Sequence, residues 1–369
     1  MRVCLIANQI AAWGKIGGFG TATRALGGAL ARRGVEVAAV VPRRPAAGQG
    51  RREVLDGIEV HGETAWRTLA GGAVFRDVAA DVYHSQEPTV ASRWAQRAVP
   101  GAVHVVTCRD PRDWRDHGVE LVHGSWRRRA VFPATWAYEV APWVKAAVRR
   151  ADAVLCPAPC LEPKVRRLYG VGARFVPSPV PLPAAVAEKP PRPLVLFVGR
   201  WDRRKRVERF FALAERFPEV RFAAVGRAHE AAYDRRLRRR WGRLPNLELP
   251  GEASPFDGGL AAWYRDAWVL VNTSAREGLP YTFLEALAHG VALLSTHDPD
   301  GVTGRFGEVV AGDAYEAGLA RLLARDAWRE RGRRGAAWVR EGFSEERSAA
   351  LHLELYRALL AERSGGGAR

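Results

Sequence analysis

The sequence predicts two doubly wound α/β domains in tandem, facing a central cleft. Three observations carry that expectation. Short apolar runs alternate with segments of helical period along the whole chain. A proline-dense stretch, 176–193, has seven prolines in eighteen residues and divides this alternation into two halves. The 369 residues suit two domains, since domains commonly run to about 100–200 residues. Residues 1–178 are read as an N-terminal domain, 179–192 as an extended linker and 193–344 as a C-terminal domain, with a last helix at about 345–363.

The first half opens on Val3-Cys4-Leu5-Ile6-Ala7, a buried-strand pattern, followed by a glycine-rich loop and a helix from about Thr21 to Arg33. A second strand runs Val35 to Val41, and further short strands are expected at 82–84, 103–106 and 153–156. After the linker, strands are expected at 194–198, 221–225, 247–249, 268–271 and 292–295. The intervening helices are expected at about 205–217, 229–241, 280–290, 313–324 and 326–341. In such sheets ligands bind beyond the carboxyl ends of the strands, so the loops there are where chemistry is sought.

Composition narrows the function. Apolar residues make up 47% and charged residues 26%, a globular balance that excludes a disordered or fibrous chain. No apolar run is long enough to span a bilayer, and the start lacks a leader pattern, so a cytoplasmic protein is expected. Cys4, Cys108, Cys156 and Cys160 lack the spacing of a zinc site and read as small apolar residues. The net charge is +17, with +11 in residues 1–180 and +6 in 181–369. That excess suits anionic partners. However, 52 of the 57 basic residues are Arg, so much of the excess also fits a compositional bias.

Three segments carry chemistry. Gly14-Lys15-Ile16-Gly17-Gly18-Phe19-Gly20 joins the first strand to its helix, where glycines let backbone approach an anion. It is not G-x-G-x-x-G, and the second strand ends in Arg43-Arg44 rather than an acid. The second segment, Gly199-Arg200-Trp201-Asp202-Arg203-Arg204-Lys205, follows the first strand of the second half and can converge Arg200 and Lys205 on a diphosphate. The third, Ser274 to Ala286, contains Glu277 before a helix that Pro280 opens, the first amides Tyr281 and Thr282, and Glu285 amid apolar neighbours. A carboxylate in that setting needs a partner, and vicinal ribose hydroxyls would serve.

With these residues in view, the chain resembles the retaining GT-B glycosyltransferases, specifically the large family-four (group 1) set, whose fold is two Rossmann-like domains around a cleft. Glu277 and Glu285, with seven residues between them, match that family's paired glutamates. Gly199-Arg200 with Lys205 resembles its phosphate motif, and Gly17-Gly18-Phe19-Gly20 its first-domain loop. The resemblance implies sugar transfer from a nucleotide-sugar with retention, without metal or cofactor. Arg200 and Lys205 would neutralise the leaving diphosphate, and Glu277 would contact the donor sugar, these three being the catalytic set. Glu285 would hold the ribose; Gly17, Gly18, Gly199, Tyr281 and Thr282 would complete donor binding; and the last helix, 345–363, would pack back on the first domain. The family's histidine after the fourth strand is replaced by Arg109, which with Lys15 is a candidate for the acceptor. The usual glycine after the second-domain lysine is Arg206. Asp298-Pro299-Asp300 spells a metal string of a different fold and is read here as a turn.

Two other classes compete: an NADP-dependent reductase using Arg43 and Arg44 for a 2′-phosphate, and a nucleic-acid-binding protein using the basic surface. The first lacks a hydride site, and the second lacks a recognised module or stacking platform. The stretch 109–150 holds nine basic residues against five acidic ones, with Trp114, Trp126, Trp136 and Trp143. It fits either an anionic or membrane-bound acceptor at the inner membrane face, or an Arg-rich surface over core tryptophans.

Overall fold

The computed structural model describes all residues except 12, 14–16, 45–47, 64–71, 125 and 367–369, and the side chains of 126–128 and 366 likewise fall outside the description. The chain forms two compact units. The first comprises Met1–Trp114, Val131–Val180 and Phe343–Arg369; the second comprises Arg115–Ala130 and Pro181–Gly342. Residues 115–130, assigned from the sequence to the first domain, thus group with the second.

The first unit is built on β1 (Arg2–Ile6), α1 (Gly18–Ala31), β2 (Glu36–Pro42), β3 (Arg52–Leu55), β4 (Ile58–Glu63), α2 (Ala73–Val78), β5 (Val82–Ser85), α3 (Val90–Ala98) and β6 (Val103–Thr107). In sequence there follow α4 (Trp114–His123), which falls with the second unit from Arg115 on, α5 (Trp126–Glu139), which falls with the first unit from Val131 on, and α6 (Pro142–Arg149), then β7 (Ala153–Cys156), α7 (Glu162–Tyr169) and β8 (Arg174–Phe175). The eight-stranded sheet has the order β3-β4-β2-β1-β5-β6-β7-β8. All pairs are parallel except β3 with β4. Those two strands were not expected from the sequence. Their turn is Asp56-Gly57, both at positive φ (52° and 80°), the backbone that a two-residue hairpin demands. Val3, Leu5, Val37, Ala39, Val103 and Val105 form a fully covered core with α1 on one side, as parallel strands require.

The second unit contains β9 (Leu194–Val198), α8 (Val207–Arg216), β10 (Arg221–Val225), α9 (Ala231–Trp241), β11 (Leu247–Gly251), α10 (Gly259–Asp266) and β12 (Val269–Asn272). It continues with α11 (Tyr281–Ala288), β13 (Ala292–Ser295), α12 (Val302–Phe306), β14 (Gly307–Val309), α13 (Tyr315–Leu323) and α14 (Ala327–Gly342). Its six strands are all parallel, in the order β11-β10-β9-β12-β13-β14. The chain moves outward from β9 to β11, then returns to the other side of β9 with β12. The strand order therefore reverses between β9 and β12, which opens a crevice at their carboxyl ends. Phe197, Phe210, Phe211, Phe222 and Trp241 belong to one core of this unit, with Phe210–Phe222 and Phe211–Trp241 edge-to-face and Phe197–Phe210 tilted.

The last helix, α15 (Glu345–Gly366), belongs to the first unit. It packs on α1 and β6 and contributes Ala349, Leu353, Leu355 and Tyr356 to the core there. The segment 181–193 has neither helix nor strand and is fastened to the second unit. Lys189 Nζ donates to the carbonyls of Tyr264 (3.0 Å), Arg265 (2.9 Å) and His289 (2.8 Å). Trp268 Nε1 donates to Pro190 O, and Arg340 Nη2 to Pro183 O.

Candidate functional site

The loop after β9 is shaped by two glycines and an aspartate. Gly199 has φ +148°, which favours glycine. A Cβ on Gly226, after β10, would meet the Gly199 carbonyl oxygen at 1.9 Å, so only glycine allows that approach. Trp201 is buried, with its ring edge-on to Phe211, and pins the loop to the core. Asp202 Oδ1 accepts the Lys205 N–H (3.0 Å) and closes the turn, and its other oxygen lies 3.8 Å from Arg200 Nη2. Arg200 and Lys205 therefore leave the same short turn at the carboxyl end of β9.

The loop after β12 lies alongside. Lys205 Nζ contacts Glu277 Oε1 at 2.5 Å, and Asn272 Nδ2 donates to the same oxygen at 3.2 Å. Burial pushes the Glu277 carboxyl up, but the Lys205 ammonium and the hydrogen bonds to it prevail and hold it below the ordinary carboxylate range. The two loops are joined at four further points. Thr273 Oγ1 donates to Lys205 O (2.7 Å), and Ala275 N to Arg204 O (2.8 Å). Arg206 donates from Nε to Thr273 O and from Nη2 to Ser274 O, both at 2.7 Å.

Pro280 precedes α11 as its cap, one place earlier than the helical residue expected, and Tyr281 and Thr282 open the helix. Amides at that point lie outside the helix's own ladder and suit an anion. Glu285 sits one turn on. Its Oε2 accepts the Tyr264 hydroxyl (3.0 Å), and burial raises its carboxyl to about 7, with the Tyr264 bond opposing. Tyr264, on α10, was not found from the sequence because nothing in its own segment marks it as a carboxylate partner. The same holds for His297, just past β13. Burial lowers its imidazole, while the Glu277 charge acts in the opposite direction.

Two ion pairs flank the loops. Asp116 and Glu120, a helical turn apart on α4, pair with Arg276 (2.6 Å) and Arg204. All four side chains are largely buried. Asp298 Oδ1 accepts the Gly304 N–H (3.0 Å) at the start of a tight 3₁₀ turn, in line with its reading as a turn residue.

Gly17, Gly18 and Arg109 lie in the first unit. Gly17 precedes α1, where a Cβ would meet Gln9 Oε1 at 3.2 Å. Lys15 lies outside the described residues. Arg109 is 7% exposed and is engaged internally, with Nη1 donating to Ser178 Oγ (2.9 Å) and Nη2 to Gln86 Oε1. A guanidinium so placed needs displacement before it meets an external anion, unlike the open role expected from its strand-end position. Near it, His84 bridges the Tyr356 hydroxyl and Thr107 Oγ1, both at 2.7 Å, and burial keeps its imidazole well below the usual range. Of the pair considered for a 2′-phosphate, Arg43 Nη1 donates to the Gln49 carbonyl (3.5 Å), and the backbone N–H of Arg44 donates to Gln49 Oε1 (2.8 Å). Trp114, Trp136 and Trp143 are 76%, 46% and 52% exposed, so these three do not pack in a core.

Two parallel α/β units of this kind define the GT-B architecture, and comparisons with known proteins agree. Residues 192–325 match a family model described as "Glycosyl transferases group 1", and residues 17–181 match a "Glycosyl transferase 4-like domain". The chain belongs to the group 1 glycosyltransferases. A search of curated protein sequences gave no match. Among solved structures, the sucrose-phosphate synthase of Thermosynechococcus elongatus is 21% identical, with TM-score 0.77, over 98% of this chain and 99% of that one. The catalytic domain of starch synthase IV from Arabidopsis thaliana, bound to ADP and acarbose, is 13% identical, with TM-score 0.68, over 98% and 99%. A glycosyltransferase from Rickettsia africae is 12% identical, with TM-score 0.68, over 97% and 98%. At these identities the likeness is one of fold.

Proposed function

We propose that this glycosyltransferase moves a sugar from a nucleotide-sugar to its acceptor with retention of anomeric configuration and without a metal ion. The observation that carries the reading is the Lys205–Glu277 pair, set beside Arg200 where the strand order reverses. In the reaction, the bond between the anomeric carbon and the diphosphate oxygen breaks, with its electron pair going to the diphosphate. Arg200, Lys205 and the amides opening α11 stabilise that growing negative charge. The acceptor hydroxyl attacks the same face, and its proton passes to the departing phosphate oxygen. Glu277 is assigned to the donor sugar, Glu285 to the ribose hydroxyls, and Gly199, Gly17 and Gly18 to phosphate.

A thermal-shift panel of nucleotide-sugars tests this, because a ligand that binds the native state raises the melting temperature. The expected result is stabilisation by one or a few nucleotide-sugars, followed by a product of unchanged anomeric configuration. No response to any, or an inverted product, overturns it.

For the acceptor we infer an anionic, membrane-presented molecule, with the enzyme peripheral at the inner face. No helix among the described residues is long and apolar enough to cross a membrane. What supports a surface role is the exposure of Val131, Trp136 and Trp143 on α5 and α6, together with basic neighbours. Arg93 is pushed below the ordinary guanidinium range by burial and by the charges of Arg150, seven residues beyond Trp143, and Arg97. Tryptophan at an interface and clustered arginine suit anionic headgroups. Co-sedimentation with anionic vesicles should occur at low salt and fade as ionic strength rises. Binding that is absent, or indifferent to Trp136→Ser with Trp143→Ser, favours a small soluble acceptor instead.

A further inference from the structure

Arg206 occupies an unusual place. Its backbone, φ 47° and ψ 45°, is left-handed at the start of α8, a conformation that glycine adopts freely and a residue with a Cβ resists. The resemblance drawn from the sequence expects glycine there. Here the arginine has a use for its side chain. The guanidinium reaches across to the neighbouring loop and donates to two consecutive carbonyls, those of Thr273 and Ser274, both at 2.7 Å. Thr273 and Ser274 are themselves buried, so few other donors can reach those oxygens. In the chain, Arg206 directly follows Lys205, and the carbonyls it holds lie three and four residues before Glu277.

We propose that Arg206 is a positioning residue: by clamping the Thr273 and Ser274 carbonyls it fixes the separation of the two loops and thereby the contact of Lys205 with Glu277. A planar, forked donor suits this task because it holds two acceptors in one fixed geometry. The left-handed backbone aims the side chain at the second loop, whereas glycine there would relax the backbone and leave the carbonyls without this donor. The charged and titratable groups around Arg206 are Arg209, Asp313, Glu208, Tyr315 and His123. Those around Glu277 are Lys205 and His297. The assignment rests on the proposed function only for its kinetic consequence; the geometric claim stands apart from it.

The test compares Arg206→Gly and Arg206→Lys with the wild type in the full chain. Arg206→Gly keeps the backbone comfortable and removes the clamp, and Arg206→Lys keeps the charge without the fork. The first readout is the titration of the Glu277 carboxyl by NMR on glutamate-labelled protein, assigned with Glu277→Gln. If the clamp places Lys205, both variants should melt within a few degrees of the wild type. Glu277 should then titrate about one pH unit higher, since burial raises it when the ammonium recedes. The second readout is transfer. For a positioning residue we expect kcat to fall about tenfold or more with donor KM nearly unchanged, and millimolar methylguanidinium to restore part of it in Arg206→Gly. A folded Arg206→Gly whose Glu277 titrates as in the wild type overturns the inference. Were no nucleotide-sugar turned over by the wild type, the functional reading would fail, and the titration would still decide the role of Arg206. Should Arg206→Gly fail to fold, Arg206→Lys decides by the same shift: a wild-type titration overturns the inference and a raised one supports it.

Discussion

Replacing Lys205 by Met keeps the apolar stem and deletes the ammonium that faces Glu277. The carboxylate then sits in a site built for an ion pair, with the Asn272 amide as a remaining donor at 3.2 Å. Removing one partner of a buried pair costs about 3–5 kcal/mol. The Lys205 and Glu277 side chains retain 24% and 12% exposure, so screening lowers the expected loss to about 2–3 kcal/mol. The pH dependence carries the sharper signature. In the wild type the folded carboxyl titrates below its ordinary 4.5, so the pair's contribution is present above pH 4.5 and is lost as pH falls through the lower folded value. In Lys205→Met, burial prevails and the folded value lies above the unfolded one. The residue's contribution is then favourable at low pH and lost as pH rises. The stability gap between the two proteins should therefore be smallest at acid pH, below the lowered wild-type value, and widest at neutral pH. Urea unfolding of the second unit across that range measures it. Glu277→Gln in the Lys205→Met background should recover most of the loss, because it removes the stranded charge. A gap that is flat with pH, or losses that simply add in the double variant, would refute the reasoning.

Glu277→Ala should fold yet lose nearly all transfer, and wild-type kcat on the true substrates would remove its catalytic assignment. Arg200→Ala should weaken nucleotide-sugar binding by about 1.5–3 kcal/mol, the usual worth of a charged contact, as read by calorimetry. Glu285 is raised to about 7 by burial, so a ribose-binding carboxylate must shed its proton first; nucleotide affinity should fall by up to about tenfold per unit below pH 7, and Glu285→Gln should flatten that slope. Activity should survive EDTA, and restoration by Mg or Mn after chelation would instead implicate Asp298 and Asp300.

The paired glutamates, the basic turn and the strand–helix alternation were legible because each is local. Glycines, charges and apolar periods within a dozen residues specify a loop and the helix or strand beside it. What stayed hidden was pairing at a distance. Lys205 and Glu277 are 72 positions apart, and only the adjacency of β9 and β12 brings them together. Tyr264 reaches Glu285 from a separate helix, and His297 arrives at the end of β13. The left-handed backbone of Arg206 could not be read from the arginine itself, which gives no cue for positive φ; the only hint was the glycine expected there. The hairpin of β3 and β4 was missed although Asp56-Gly57 is a strong turn signal, because its strands are short and rich in charge. Trp114, Trp136 and Trp143 were undecided between core and surface, since aromatic residues serve both and only packing tells them apart.

The first unit closes with α15, which follows the whole second unit in the sequence, and this sets an order on its assembly. A ribosome that has released residues 1–180 has delivered every strand of the eight-stranded sheet. The helix α15 that covers the strip of α1 and β6, and with it the hydroxyl of Tyr356 that His84 needs, is still more than 160 residues from being made. The nascent sheet must wait, apolar strip exposed, while the second unit is synthesised in full. A chain cut after Gly342 would hold that strip open permanently, although every residue of the Lys205–Glu277 site would be present. Loss of residues 343–369 should therefore show itself as aggregation, without any change in the site's own chemistry.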